Sequence, residues 1–215
     1  MADTIKFLKL CKYSFRYKTN IVFLILFLAI GIMNEVIAHG TQYLGGFYIV
    51  LCSIYMFQFI MSLSMSDMIQ SSGIGRRIQL DIPVRLNVMM SVLLYTLLVI
   101  YRICMAKIHP ENEPQIASSL LMINIMFFIL FIYTGFVYKY FLISILVFCF
   151  TAVFVMTGSN ILLSLPGFMV SLKAAVFIGY VGIVIGAAVQ YIICRALVKI
   201  PISQRAFRGI FKEAK

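Results

Sequence analysis

The chain has 215 residues, 63% of them apolar and 12% charged, with a mean hydropathy of +1.04 and a formal net charge of +11. Soluble domains run near half apolar and a quarter charged, so the excess has to face lipid and a soluble globular fold is excluded. Once spans of roughly 20 residues are set aside, too little chain remains for an independent catalytic or ATP-hydrolysing domain, which usually takes more than about 50 residues.

Residues 1–19 open the chain. Lys6, Lys9, Lys12 and Arg16 fall within one arc of a helix about 120° wide, opposite Phe7, Leu8, Leu10, Cys11 and Phe15. Such an amphipathic elbow helix lies in the headgroup plane, either anchoring the first span or also touching a cytoplasmic partner. The apolar run that follows has no small-residue cleavage site, so the first span is expected to stay in the mature protein. Apolar runs at 20–38, 47–65, 83–105, 116–137, 141–158 and 171–195 give six transmembrane helices across 20–195, and 196–215 forms a basic tail. With no linker or charge run to divide it, the chain reads as one all-α polytopic membrane domain.

Basic residues near span ends are retained on the cytoplasmic face. With the N-terminus inside, fifteen of the eighteen Lys and Arg residues fall on the inner side and only Arg102, Lys107 and Lys173 on the outer, so both termini are expected inside. The same placement assigns the positive charge to anionic headgroups rather than to nucleic acid. Five cysteines, Cys11, Cys52, Cys104, Cys149 and Cys194, lie in or beside apolar stretches without metal-type spacing and read as reduced packing residues.

The longest inner connection, 66–82, is too polar to insert and reads as a short helix broken at Gly73. Asp81 ahead of Pro83 then makes a capped start for the third span. A short helix tethered between two spans can transmit motion from a soluble partner; a plain basic loop obeying the positive-inside rule is the alternative. On the outer side, 157–170 is apolar but punctuated by Pro166-Gly167, which fits either a re-entrant hairpin or a loop dipping into headgroups. In the last span, Gly182 and Gly186 form a small-xxx-small pair with Gly179 one turn before. They would let a neighbouring helix approach, within the bundle or in a dimer.

Polar residues in apolar runs are costly against lipid, so Asn34, Glu35, Gln58, Asn124, Asn160 and Gln190 are expected to face the interior or a pathway. Asn34, Glu35, Gln58 and Asn160 are candidates for a pathway or gate; for Glu35, snorkelling to the outer headgroups is the plainer alternative. The two histidines, His39 and His109, lack the three or four converging ligands of a metal site. No H-E-x-x-H helix and no G-x-x-x-x-G-K-[ST] phosphate loop is present. No catalytic residue, cofactor or metal is therefore expected in this chain.

A basic elbow, a compact inner loop between spans two and three, an apolar outer hairpin before span six and two inner termini together resemble the permease subunits of type-2 ABC exporters. The resemblance implies a second permease subunit, as homo- or heterodimer, and two separate ATP-binding subunits that hold the ATP and Mg. It implies that Met68, Ile69, Gln70, Ser71, Ser72, Gly73, Ile74, Gly75, Arg76 and Arg77 form the coupling helix seated on the ATPase. Spans one, two and five would line the route, and the cargo would be an amphiphilic small molecule, drug or peptide. A bacterial plasma membrane is the expected location. The alternatives are the substrate-binding membrane subunit of a vitamin-type importer, or a non-transporting sensor or immunity protein. The A-x-x-x-A spacing usual in such importers is missing from span one, where Ala29 and Ala38 do not supply it.

Overall fold

The computed structural model describes residues 17–64, 75–137, 139–163, 170–197 and 200. Every regular element among them is helical: α1 (Tyr17–Ile37), α2 (Leu44–Ser64), α3 (Gly75–Ile108), a 3-10 turn (Pro110–Asn112), α4 (Glu113–Phe136), α5 (Phe141–Leu163) and α6 (Leu172–Leu197). Five stretches are long and apolar enough to cross a bilayer: Tyr17–Ile37, Leu80–Ile108, Pro110–Phe136, Phe141–Gly158 and Leu172–Leu197. In α2 the described apolar stretch, Leu44–Gln58, is shorter. The elbow residues Lys6, Lys9, Lys12 and Arg16, loop residues 68–74 and the tail beyond 200 lie outside the described residues.

The bundle is inverted relative to a soluble protein. Large apolar side chains such as Val22, Ile25, Met33, Leu97, Phe150 and Val184 are exposed, while Glu35, Asn87, Arg102 and Gln190 are buried. Lipid makes apolar exposure cheap and polar exposure costly, so the polar groups collect between the helices. The hub is α4, 67% buried along its apolar stretch against 11% for α1. It packs most extensively on α6 and also touches α2, α3 and α5. Close contacts fix the directions. Gly45 lies against Glu35 and Gly46 against Leu98 and Ile123. Arg102 meets Ser119 near one end, and Asn87 meets Thr134 and Gln190 near the other. Helices α2, α4 and α6 therefore run opposite to α1 and α3. At the Asn87 end, the Lys139 amine donates to the Ile200 carbonyl, tying the α4–α5 turn to the chain after α6. Burial there pushes the Lys139 amine below its ordinary pKa.

Three boundaries differ from those expected. The third span has no capped start at Asp81: α3 begins at Gly75 and passes through Pro83. Proline costs a helix one backbone bond rather than ending it, and such losses are tolerated in spanning helices. Gly75, Arg76 and Arg77, expected in a separate short helix of the inner connection, are the first turn of α3. The fifth helix continues to Leu163, so Thr157 to Leu163 are helical rather than part of an outer hairpin, and 164–169 lie outside the described residues. Among the cysteines, Cys52 is buried, while Cys104 and Cys149 are exposed and are not packing residues.

Candidate functional site: a buried polar seam

On α3, Asn87, Ser91, Tyr95 and Arg102 recur at intervals of four, four and seven, which places them on one stripe. Met89, Leu93, Leu97 and Ile100 occupy the opposite, exposed face. The stripe faces α4 and α6 and runs about 22 Å at 1.5 Å per residue, most of the roughly 30 Å depth of a hydrocarbon core.

At one end Arg102, with no exposed surface, holds Glu35, 4% exposed, in a two-point ion pair: Nη2 to Oε1 at 2.8 Å and Nε to Oε2 at 3.2 Å. Its Nη1 donates to Ser119 Oγ at 2.6 Å and Nη2 also to the Gln42 carbonyl at 2.8 Å, so four of its five N–H groups are used. Ser119 in turn donates to the Gly40 carbonyl at 3.2 Å or that of Ile116 at 3.0 Å. The α1–α2 turn reaches these groups through a helix C-terminal motif. Gly40 N donates to the Glu35 carbonyl at 3.1 Å, and His39 takes the left-handed conformation at φ 51° with Gly40 at φ 73°. Tyr101 Oη adds a bond to the same Glu35 carbonyl at 3.0 Å. One guanidinium thus ties α1, the 38–43 turn, α3 and α4 together.

In mid-seam, Tyr95 is fully buried, stacks edge-on against Tyr180 and Phe127, and donates to the Val176 carbonyl at 3.4 Å. Asn124 Nδ2 donates to the Ala175 carbonyl at 2.9 Å, and the Thr96 and Tyr180 hydroxyls meet at 3.0 Å. Gly179 makes this approach feasible: a Cβ there would stand 1.9 Å from Tyr95 Oη and 2.6 Å from Asn124 Oδ1. At the other end Asn87 Nδ2 donates to Gln190 Oε1 at 3.1 Å and to Thr134 Oγ1 at 3.4 Å. Asn87 Oδ1, Gln190 Nε2 and the Ser91 hydroxyl here, Asn124 Oδ1 in mid-seam and the Ser53 hydroxyl on α2, all enclosed, have no hydrogen-bond partner among the described residues. Each such group carries a penalty of about 1–3 kcal/mol, so this closed packing is maintained against its own polar groups.

Comparison with protein families, curated proteins and solved structures gives no match.

The sequence-derived candidates distribute unevenly. Glu35 neither snorkels to headgroups nor stands free; it is the partner of Arg102, which sequence reasoning had counted only as an outer flanking charge. Asn34 is half-buried and donates to the Ile30 carbonyl of its own helix at 2.9 Å, and Gln58 is half-buried on α2. Asn160 lies on α5. Gly179 and Gly186 lie against α3 and α4, the latter beneath Phe131, whereas Gly182 meets nothing within 4 Å among the described residues and belongs to the open face. Asn124 and Gln190 do face the interior. Asn87, Ser91, Tyr95, Ser119 and Thr134 were missed; the spacing on α3 carried the signal for the first three, and none marked the two on α4.

At the Arg102 end, the His39 and His109 rings lie 5.5 Å apart, with His109 Nδ1 3.3 Å from Glu111. Among the described residues no group of three or more potential metal ligands converges. Two apolar clefts open outward. One of about 380 Å³ lies between α4 and α5, lined by Ile129, Tyr133, Phe136, Ile143 and Phe148. The other, of about 160 Å³, reaches Glu35 between α1, α2 and α3.

Proposed function

We propose that the chain is the membrane-spanning permease subunit of an ABC exporter. In this reading α2 supplies the sixth crossing, both termini and the 65–74 connection are cytoplasmic, and 1–19 forms an elbow on the inner surface. A second permease subunit completes the membrane unit, and two ATP-binding subunits supply ATP and Mg. The cargo is an amphiphilic small molecule, drug or peptide, and this chain contributes no catalytic residue.

The observation that supports the reading best is the overhang of α3. At 34 residues it is about 51 Å long, some 20 Å more than a hydrocarbon core requires. With Arg102 level with Glu35, residues 75–83 extend beyond the start of α1 by about 14 Å at 1.5 Å per residue. Arg76 and Arg77 lie on this overhang, directly after 68–74. A rigid basic lever continuous with the buried polar face suits a subunit moved by a soluble partner.

The test is affinity isolation of the tagged chain from gently solubilised native membranes. An ATP-binding polypeptide in equal number to the permease chains is expected. Replacing 68–77 by a Gly/Ser stretch should abolish that association while membrane insertion persists. Retention of the ATP-binding subunit by the replaced chain, or its absence from the native one, would overturn the reading.

A further inference from the structure

We infer that the seam between α3 and the α4–α6 pair is a closed hydrophilic route, which opens when α3 separates from α6 and admits water and the polar part of a cargo. This goes beyond the permease reading, whose resemblance puts the route along spans one, two and five, by placing a hydrophilic route inside one subunit.

Three observations converge on it. Polar groups recur on nearly every turn of α3 from Asn87 to Arg102, a course that packing alone does not call for in a bilayer, where apolar contacts would serve. The hydroxyls of Thr96, Thr134, Thr151 and Thr157 each donate to the carbonyl four residues earlier, the usual refuge of a hydroxyl in a membrane helix. Ser91 and Ser53 have no such bond, and Asn87 Oδ1 and Gln190 Nε2 are likewise unpartnered. Exchanging the orientations of both amides would preserve their mutual bond and still leave one N–H group and one oxygen unmatched, so the mismatch is not a matter of assignment. At the Asn87 end, one acceptor, one donor and the Ser91 hydroxyl together suit water or a neutral polar group. A bare cation would meet the Gln190 amide hydrogens and an anion the Asn87 oxygen. Finally, the seam is closed where Gly179 admits the Tyr95 hydroxyl, and held at one end by Arg102.

The experiment uses only this chain, in bilayer nanodiscs, so its outcome is independent of whether ATP-binding subunits dock. Cys11, Cys52, Cys104, Cys149 and Cys194 are replaced by alanine, Ser91→Cys is introduced, and labelling by a small water-soluble methanethiosulfonate is timed. The reagent needs a thiolate, hence water. Labelling should be slow with Gly179 in place. Gly179→Ala, which wedges Tyr95 away, should accelerate it about tenfold or more, in proportion to the open population. Gly182→Ala, facing open space, should leave the rate unchanged, as should Gly179→Ala when the reporter is Leu93→Cys on the lipid face. If Gly179→Ala does not fold, Arg102→Met takes its place and should accelerate labelling likewise. A folded opening variant in which Ser91→Cys stays inert, or equal acceleration at Leu93→Cys, would overturn the inference.

Discussion

Glu35→Gln removes one charge from a fully enclosed pair while keeping the side-chain volume. The Arg102 guanidinium then keeps Ser119 Oγ, the Gln42 carbonyl and one bond to the amide oxygen, but loses the second acceptor and the opposite charge. Breaking one side of a buried pair typically costs about 3–5 kcal/mol. Because Glu35 lies two residues before the end of α1, where headgroups and water are within reach, the lower figure applies. A loss of about 3 kcal/mol is roughly a hundredfold in the folding equilibrium. Arg102→Met should cost a similar amount by stranding the carboxylate, and Glu35→Met by stranding the guanidinium. Substituting both residues by methionine removes both charges and should return stability to within about 1 kcal/mol of the parent, a non-additivity that isolates the pair. The assay is unfolding by SDS titration in mixed micelles followed by circular dichroism, since the chain has no tryptophan to report by fluorescence. Single substitutions costing under about 1 kcal/mol, or a double variant equal to their sum, would refute the assignment of Arg102 as the anchor of this end.

The same assay checks three further expectations. Asn87→Leu should destabilise by about 1–3 kcal/mol because it strands the Gln190 amide oxygen, whereas Asn87→Leu with Gln190→Leu should cost much less than the sum of the single changes. Gly45→Ala places a Cβ 2.6 Å from Glu35 Cγ and 2.8 Å from its backbone nitrogen, and should cost about 1–3 kcal/mol; Gly182→Ala has open space and should gain up to about 1 kcal/mol from helix propensity. His39→Gly relieves a left-handed residue and should stabilise by about 1 kcal/mol; no change would place the strain elsewhere.

The helical class and the approximate places of the apolar runs were legible because runs of lipid-compatible residues leave no other regular structure open to the backbone. Pro83 was misleading. In water it would mark a start, but within a packed bundle the lost bond is tolerated and α3 runs on. Glu35 was recognisable as unusual, yet its partner was not, because Arg102 lies 67 positions away and a basic residue near a span end has an ordinary topological explanation. The seam was half legible. Asn124 and Gln190 drew notice as amides in apolar runs, while Ser91, Ser119 and Thr134 passed as small residues; the four-four-seven spacing on α3 links Ser91 to Asn87, Tyr95 and Arg102, but Ser119 and Thr134 lie on α4, where no such spacing marks them. Gly182 and Gly186 formed the familiar small-residue pair, but the stripe buried against α3 and α4 carries Gly179 and Gly186, seven apart.

The account depends on a lever outside the bilayer that a soluble partner grips. Photo-crosslinking from Ser72→Cys in native membranes, with a short thiol-linked probe, tests it most directly. The account predicts a covalent adduct with an ATP-binding polypeptide that is lost when 1–19 and 68–77 are both replaced. No adduct with any soluble polypeptide, or labelling of Ser72→Cys by an impermeant reagent applied from outside intact cells, would contradict it.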